Sequence, residues 1–212
     1  VPFGLIPIGT GNVLAHEIGL PLRPRDIAEC LISGALREIA LPTVNDEPFL
    51  LMAGVGFDGR VIANLDVGLK QRIGKLAYAW PALQAWWSGP DELDVTVDGE
   101  RYWASWVIVT GSRHYAGAFL LAPEARLGGG SLEVVSMTER GRLALLGYLA
   151  ALVGGRLARC RSVTIRSCRW VEIASDPPAP VQVDGEPSGY APIRISRGKK
   201  RLLVIVPAAT PT

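Results

Sequence analysis

The sequence has few of the residues that build disulfide frameworks and metal sites. It contains three cysteines and two histidines among 212 residues. Cys30, Cys160 and Cys168 are odd in number and lack the C-x-x-C spacing that is typical of zinc ligands. We therefore predict reduced thiols in a cytoplasmic protein, without a structural zinc site.

Long hydrophobic runs and a charge excess are also absent. The most apolar run, residues 143–155, is about thirteen residues long, whereas a helix needs roughly 20 to cross a bilayer, so we expect a buried helix there. The first residues lack a basic segment ahead of an apolar stretch, which argues against a signal peptide. With 22 basic and 20 acidic side chains, the composition predicts no nucleic-acid partner, and any anion must be recognised locally.

The first 37 residues have the pattern of an α/β layer. Residues 1–8 are apolar and are expected to form a strand, entered midway through a domain. Val13–Ile18 is predicted to be a helix, and residues 25–35 have the three-to-four-residue apolar spacing of a second one. The segment therefore predicts a β-α-α unit.

From residue 38 onward the pattern changes to short alternating strands separated by turn residues. Two helical segments interrupt it, at residues 69–87 and 142–152. We predict the α/β plus β class: a partial α/β domain, residues 1–37 with a C-terminal strand within about 198–212, joined to a β-rich domain, residues 38–197, with two helical insertions.

A glycine-rich turn links the predicted first strand and helix. In Gly9-Thr10-Gly11-Asn12, two glycines flank a threonine, which leaves backbone N–H groups free to face an anion such as phosphate. The alternative is a tight turn whose asparagine caps the following helix, because glycine and asparagine are common in any turn. The turn alone leaves both interpretations open.

Five segments carry short motifs in a fixed order. They are residues 7–15 (PIGTGNVLA), 53–59 (AGVGFDG), 74–78 (GKLAY), 115–125 (YAGAFLLAPEA) and 181–186 (VQVDGE). In this order they resemble the diacylglycerol kinase catalytic family, which includes sphingosine kinases and bacterial lipid kinases. The resemblance implies an α/β nucleotide-binding domain and a β-sandwich-like domain, with ATP and a lipid meeting in the cleft between them.

The resemblance also implies roles for particular residues. Gly9, Thr10, Gly11 and Asn12 would bind the ATP phosphates. Glu186, with Asp184 in the same D-G-E turn, would be catalytic, the glutamate acting as general base for the attacking hydroxyl. Asp58 would bind substrate or orient the turn of the second domain.

A second D-G-E copy, Asp98-Gly99-Glu100, lies between two alternating segments. This context predicts an Asp-Gly hairpin turn, with Glu100 as a solvated residue and not a base.

The family holds a Mg²⁺ ion in the second domain through an aspartate and backbone oxygens. The matching residues here are Arg126, Gly129 and Ser131, and Gly129 stands where the family has the aspartate. We therefore expect at most weak binding at this position, with a metal-free glycine turn favoured. The Mg²⁺ that accompanies ATP is a separate ion and is still expected.

The family's glycine-rich G-G-D-G-T loop is not present in these 212 residues. Since this loop supplies most of the backbone groups around the triphosphate, the chain alone is expected to lack kinase activity. Three functions remain open at this stage. The first is an ATP-dependent lipid kinase, the second a non-catalytic lipid- or nucleotide-binding relative, and the third, ranked lowest, an enzyme like NAD kinase.

The expected partners are a lipid substrate, either diacylglycerol or sphingoid-like, and a membrane surface. Basic residues precede tryptophans in one helical segment (Lys70, Arg72 and Lys75, then Trp80, Trp86 and Trp87), which suits a peripheral membrane protein, although tryptophans at helical spacing also fill cores. Several later arginines are expected either to bind anionic lipid headgroups or to form an ordinary solvent-exposed surface; they are Arg156, Arg159, Arg161, Arg166 and Arg169. An open sheet edge in the partial α/β domain makes a homodimer a further expectation.

Overall fold

The computed structural model describes residues 1–208, apart from the side chains of Val67, Lys70, Gln71 and Lys75. The helices are α1 (Val13–Ile18), α2 (Pro24–Ser33), α3 (Phe57–Ala63), α4 (Val67–Ile73), α5 (Ala79–Ser88) and α6 (Arg142–Val153), with short 3-10 turns at Gly74–Tyr78 and Leu157–Arg159. The strands are β1 (Ala35–Ala40), β2 (Thr43–Val44), β3 (Glu47–Pro48), β4 (Met52–Val55), β5 (Leu93–Val97), β6 (Glu100–Ala104), β7 (Trp106–Thr110), β8 (His114–Tyr115), β9 (Phe119–Leu120), β10 (Leu132–Met137), β11 (Val163–Cys168), β12 (Trp170–Ser175), β13 (Pro180–Val183), β14 (Glu186–Tyr190), β15 (Ile193–Ser196) and β16 (Arg201–Val206).

Two six-stranded sheets form a sandwich. The first has the order β11-β10-β7-β4-β13-β14 and the second the order β3-β2-β15-β12-β5-β6. Neighbouring strands are antiparallel in both sheets. Valines such as Val107 and Val109 of the first sheet and Val95 and Val171 of the second fill the space between them. The predicted fold class, an α/β part with a β-sandwich-like part, is confirmed.

The first sheet is buried on both faces. Trp106 and Ile108 alternate with the valines of β7 and point to the opposite side, where they pack with residues of α3, α5 and α6. This double burial explains why β7 reads Trp-Val-Ile-Val before its last residue, Thr110. The covered face is the one that carries the candidate site.

The N-terminal segment packs as a separate layer. Strands β1 and β16 form an antiparallel pair, and α1 and α2 share with them a third apolar cluster that includes Leu14, Ile39 and Val204. The expected strand over residues 1–8 is wrong as a continuous element: the segment makes one parallel bridge, from Phe3 to Val204, because its two prolines cannot donate to a ladder.

The proposed domain limits and homodimer stay predictions. The limit at residue 37 falls inside β1, whose partner is the terminal strand β16. Residues 209–212 of the predicted terminal segment lie outside the described residues. So do the side chains of Lys70 and Lys75 in the predicted membrane-facing helix.

The helical insertion differs from the single helix predicted over residues 69–87. It consists of α4, a 3-10 turn and α5, because Gly74 adopts a positive φ of 60° that ends α4. Helix α3 was not predicted, since its glycine-flanked start resembles a plain turn. The helix predicted at residues 142–152 extends one residue further, to Val153. Within residues 1–208, no helix is both long and apolar enough to cross a membrane.

Candidate active site

One cavity is lined by the residues that were predicted to bind ATP, to bind the lipid and to accept the proton of its hydroxyl group. It has a volume of about 500 Å³ and lies among the glycine turn, α3, α5, the β8–β9 region and the β13–β14 hairpin. Its lining includes the following predicted residues: Gly9, Thr10, Gly11, Asn12, Asp58, Asp184 and Glu186. The predicted metal positions, Arg126, Gly129 and Ser131, lie elsewhere and line two other cavities.

Most of the cavity wall is apolar. The residues that give it this character come from several elements: Val13, Leu51, Phe57, Val61, Ile62, Ala82 and Phe119, together with the rings of Tyr78 and Tyr115. A largely apolar cavity with a few convergent polar groups is the usual form of a small-molecule site. Sequence reasoning missed this lining, because apolar residues at helix and strand spacing are indistinguishable from ordinary core.

Asp184 fixes the D-G-E turn against strand β4. Its carboxylate accepts hydrogen bonds from the backbone N–H groups of Leu50, Leu51 and Met52 at 2.7, 2.8 and 2.9 Å. Its own N–H donates to the Met52 carbonyl at 2.8 Å. Asp184 has a φ of 50° and Gly185 one of 86°, as a tight Asp-Gly hairpin requires. These contacts are those of a positioning residue, and its predicted catalytic part stays a prediction.

Glu186, two residues further, is placed differently. It begins β14 and is exposed at the cavity, and its side chain makes no hydrogen bond or ion pair with any residue of the described part of the chain. A carboxylate without a partner keeps its lone pairs available to accept a proton. The turn therefore presents two different carboxylates, one that anchors the turn to β4 and one that has no partner at the cavity.

Asp58 is buried beneath this turn and is linked to it. It is 3% exposed, and its carboxylate accepts hydrogen bonds from Trp106 Nε1 at 3.0 Å, the Gly59 N–H at 2.9 Å and Gln182 Nε2 at 3.0 Å. The Gln182 side-chain carbonyl in turn accepts the Gly185 N–H at 2.9 Å. Asp58 thus reaches the D-G-E turn through Gln182, and its predicted part in binding substrate stays a prediction.

Burial raises the pKa of Asp58 to about 6, and its hydrogen bonds offset only part of that effect. The strand below accommodates the carboxylate because residue 54 is glycine: a Cβ there would lie 1.9 Å from Asp58 Oδ2. This contact gives a physical reason for the G-x-G-x-D spacing. The signal for Gln182 was a polar residue within the apolar strand β13, which the sequence reasoning did not use.

Replacing Asp58 with asparagine should remove a pH dependence of stability. Because the native pKa lies above the ordinary value, the folded state binds more protons than the unfolded state between about pH 4 and 6. The contribution of Asp58 to the free energy of unfolding therefore falls as pH rises through this window, by an amount on the order of 2 kcal/mol. Urea unfolding of wild type and Asp58→Asn across this range measures the difference.

The matched control is Asp94→Asn, which changes an exposed carboxylate paired with Arg101. We expect its pH profile to follow that of the wild type. A profile of Asp58→Asn parallel to the wild type would show that Asp58 is not the titrating group.

A hydrogen-bonded glutamate–histidine pair holds the glycine turn near the sandwich. Glu17 of α1 lies 2.6 Å from His114 Nδ1 and accepts the His114 backbone N–H at 2.9 Å. Its side chain is 4% exposed. No pattern in the sequence indicated this pair, because its members are separated by 97 positions.

The second D-G-E copy is the hairpin turn that the sequence predicted. It joins β5 to β6, and Asp98 accepts the backbone N–H groups of Arg169 and Trp170, much as Asp184 anchors its own turn. Glu100 is exposed, forms an ion pair with Arg166 and is absent from the cavity lining. The two copies share their geometry and differ in location.

The segment expected to hold a second-domain Mg²⁺ does not fit a cation. The Arg126 carbonyl oxygen already accepts the Gly129 N–H at 2.8 Å. A Cβ at position 129 would lie 2.9 Å from the Arg126 Cβ, so an aspartate there would force the turn to shift. Glu133 is buried, with Ser167 at 2.5 Å, and residues 1–208 contain no cluster of His, Cys, Asp and Glu suited to a metal ion.

Comparison with known proteins extends over nearly the whole chain. Residues 1–44 match the profile of the diacylglycerol kinase catalytic domain, and residues 52–209 match the YegS C-terminal NAD kinase beta sandwich-like domain. A probable lipid kinase YegS-like protein of Pseudomonas putida is 31% identical over 98% of this chain and 69% of its own length. Its counterpart in Pseudomonas aeruginosa is 31% identical over 98% and 68%.

Solved structures agree on the fold. The crystal structure of a putative diacylglycerol kinase from Bacillus anthracis superposes with a TM-score of 0.73 at 21% identity, covering 95% of this chain and 67% of that one. The two profile matches, the identity to YegS-like proteins and this shared architecture agree with one another. The chain therefore belongs to the diacylglycerol kinase catalytic domain family and carries, from residue 52 onward, a C-terminal domain of the YegS type.

Proposed function

We propose that this chain carries the lipid-binding and proton-accepting part of an ATP-dependent lipid kinase, which phosphorylates a lipid hydroxyl. The observation that supports this most is the single cavity, where the unpartnered carboxylate of Glu186, the glycine turn and an apolar wall come together. The relatives named above are described as probable lipid kinases. The substrate class we assign is diacylglycerol or a sphingoid-like lipid.

The glycine turn is proposed to hold one edge of the ATP phosphates. Gly9, Thr10, Gly11 and Asn12 line the cavity, and their backbone N–H groups and the threonine hydroxyl are donors that suit phosphate oxygens. Mg²⁺ accompanying ATP would neutralise phosphate charge, and we assign none of the described residues to it.

The apolar wall is proposed to bind the lipid chains and to direct the hydroxyl toward Glu186. Glu186 then accepts the hydroxyl proton while the hydroxyl oxygen forms a bond to the γ-phosphorus and the bond from that phosphorus to the oxygen of the ADP leaving group breaks. The turn that carries Glu186 is held in place by Asp184, Gln182 and Asp58. These residues contribute to the step by positioning Glu186. Phosphoryl transfer depends mainly on such positioning.

Phosphate transfer to a lipid panel tests the proposal. We expect a version of the chain extended upstream, with a G-G-D-G-T loop, to transfer radiolabelled phosphate from ATP to diacylglycerol or sphingosine micelles. The 212-residue chain should show no measurable turnover, since most donors around the γ-phosphate are not in its sequence. NAD is included as a competing acceptor.

Each outcome of the assay separates the alternatives. Lipid binding without turnover by the extended version would favour the non-catalytic relative. Transfer to NAD would favour an NAD-kinase-like enzyme. Full turnover by the short chain would contradict the assignment of the phosphate donors.

The membrane partner is proposed to dock on two helices beside the cavity. On α5, Trp80 and Trp87 are 64% and 67% exposed, and on α6, Leu143 and Val153 are 80% and 67% exposed. No charged residue occurs in α6 after Arg142, although a helix that is apolar on all sides is normally buried in protein or lipid. The helices touch, with Trp86 Nε1 donating to the Arg142 carbonyl at 2.9 Å.

Two features of the surface formed by α5 and α6 favour an anionic bilayer as its partner: the positive charge around α6 and the connection of α5 to the cavity. Exposed arginines flank α6 at both ends: Arg140, Arg142, Arg156 and Arg159. Tyr78 and Ala82, next to the exposed Trp80 and in the same helical segment, line the cavity. A lipid could thus pass from the bilayer to the cavity along α5. Trp86, by contrast, packs against the core, as the alternative interpretation of the tryptophans predicted.

Polar substitutions on α6 should weaken vesicle binding. Burying a leucine side chain contributes about 1.5–3 kcal/mol, so Leu143→Gln with Leu146→Gln should lower the affinity for phosphatidylglycerol vesicles by at least about tenfold. Vesicle sedimentation measures it, with phosphatidylcholine vesicles for comparison. Leu22→Gln, an exposed leucine outside α6, is the matched control. If the double variant bound vesicles as the wild type does, but its molecular mass measured by sedimentation differed from that of the wild type, the surface would be assigned to a second copy of the chain.

A further inference from the structure

A second cavity, separate from the candidate active site, is lined by three arginines. It has a volume of about 440 Å³ and lies where α1 and β1 meet the segments on either side of β8 and β9. Arg37, Arg113 and Arg126 line it, with Glu17 and Glu38 as the acidic residues. The remainder of its wall is apolar or glycine: Ala125, Leu127, Gly128 and Gly129. None of these residues lines the candidate active site.

The two carboxylates do not neutralise the three guanidinium groups. Glu17 is committed to His114, through its contact with Nδ1 and its hydrogen bond from the backbone N–H. Glu38 is paired with Arg201 at 3.6 Å. Within the described residues, the side chains of Arg37, Arg113 and Arg126 form no hydrogen bond or ion pair. The cavity therefore has three guanidinium groups without a direct partner and, with three arginines against two glutamates in its lining, an excess of positive charge.

One of these donors is buried without an acceptor. Arg37 Nε is inaccessible to solvent and has no hydrogen-bond partner. Buried donors in folded proteins are almost always satisfied, so an exception calls for an explanation. The guanidinium group of Arg37 keeps a donor that no residue of the described chain engages, and the same residue lines the cavity.

The backbones that carry the three arginines are fixed. Arg37 is paired with Val204 within the β1–β16 ladder. The Arg113 carbonyl accepts the Leu121 N–H at 2.9 Å, and the Arg126 carbonyl accepts the Gly129 N–H at 2.8 Å. The three arginines thus belong to backbone segments that are already held in place, so binding a common ligand has to order their side chains but not their backbones.

We propose that this cavity binds a phosphate group. Guanidinium groups pair with phosphate oxygens through parallel N–H bonds, and phosphate offers several acceptors to donors arriving from different directions. Arg126 and Gly129 belong to the segment where the sequence led us to expect a weak cation site, so the charge preference is the reverse of that expectation. The phosphate comes either from a free phosphate or from a phospholipid headgroup.

Calorimetric titration of the 212-residue chain tests the proposal, with inorganic phosphate in one arm and glycerol 3-phosphate, a soluble headgroup mimic, in the other. We expect saturable binding by the wild type. Arg126→Gln should weaken the binding by about tenfold, because one charge-assisted hydrogen bond to the phosphate is lost. Arg113→Gln should act similarly. Arg101→Gln, an arginine on the outer strand β6 of the second sheet, is the control and should leave binding unchanged.

The two arms distinguish the sources of the phosphate. Clearly tighter binding of glycerol 3-phosphate would identify a lipid headgroup, and equal or weaker binding a free phosphate. The proposal is overturned if neither probe binds at millimolar concentration. It is equally overturned if both arginine variants bind as the wild type does, since the anion would then sit elsewhere.

Discussion

Replacing Glu186 with glutamine is expected to lower kcat for lipid phosphorylation by about 10²- to 10⁴-fold in the upstream-extended enzyme. Glutamine keeps the size and hydrogen-bonding capacity of the side chain but cannot accept the hydroxyl proton. The carboxylate has no partner in the described residues and faces the cavity, so its replacement disturbs no contact that holds the turn. Steady-state kinetics with ATP and lipid micelles, with KM determined separately, measures the effect.

The second copy of the motif provides the matched control. Glu100→Gln removes an exposed ion pair with Arg166 of β11, at the edge of the first sheet opposite β14, and exposed pairs contribute little. We expect its kcat to equal that of the wild type. If Glu100→Gln abolished turnover and Glu186→Gln did not, the assignment of the base would be wrong. A loss confined to KM for the lipid would make Glu186 a binding residue.

Replacing Asp184 with alanine is expected to lower the free energy of unfolding by about 3 kcal/mol, since three backbone N–H groups lose a charged acceptor. The figure lies below the sum for three charge-assisted bonds because the turn is exposed, and water replaces part of what is lost. Urea unfolding of the 212-residue chain measures it. In the extended enzyme, turnover should fall as well, because the hairpin that carries Glu186 loses its anchor on β4.

Asp98→Ala is the corresponding control in the second D-G-E copy, Asp98-Gly99-Glu100. Asp98 accepts N–H groups at 3.1 and 3.2 Å, longer than the 2.7 to 2.9 Å at Asp184. We therefore expect a smaller loss of stability, about 1 kcal/mol, without an effect on turnover. Equal stability of the Asp184→Ala variant and the wild type would show that the three hydrogen bonds do not hold the turn. Loss of turnover in a fully stable Asp184→Ala variant would instead support the predicted catalytic part.

Local patterns were sufficient where neighbours in sequence decide the conformation. The helix Val13–Ile18 was predicted with its observed limits, and the Asp98-Gly99 hairpin was recognised because two adjacent residues set the turn. The same reasoning failed at residues 1–8, where a strand requires a partner and two prolines remove donors. It also failed at Gly74, since apolar spacing continues across a residue whose positive φ interrupts the helix.

The candidate site was predicted in part for a related reason. Thr10, Asp58 and Glu186 could be selected from motifs, because each belongs to a short pattern with a chemical rationale. Gln182 and Glu17 could not, since their roles depend on partners at Asp58 and His114 that lie 124 and 97 positions away. A hydrogen bond between distant side chains leaves no periodic trace in the sequence.

By itself, the sequence determined the class of the fold, the order of the motifs and the residue types available for phosphate and proton chemistry. These follow from apolar periodicity and from turns only a few residues long. Only the tertiary structure decided that the glycine turn and the D-G-E turn share one cavity, that α6 exposes an apolar face, and that three arginines converge where a cation was expected. The physical reason is that sheet pairing and core packing bring together residues far apart in sequence, so distance and charge balance exist only in the folded chain.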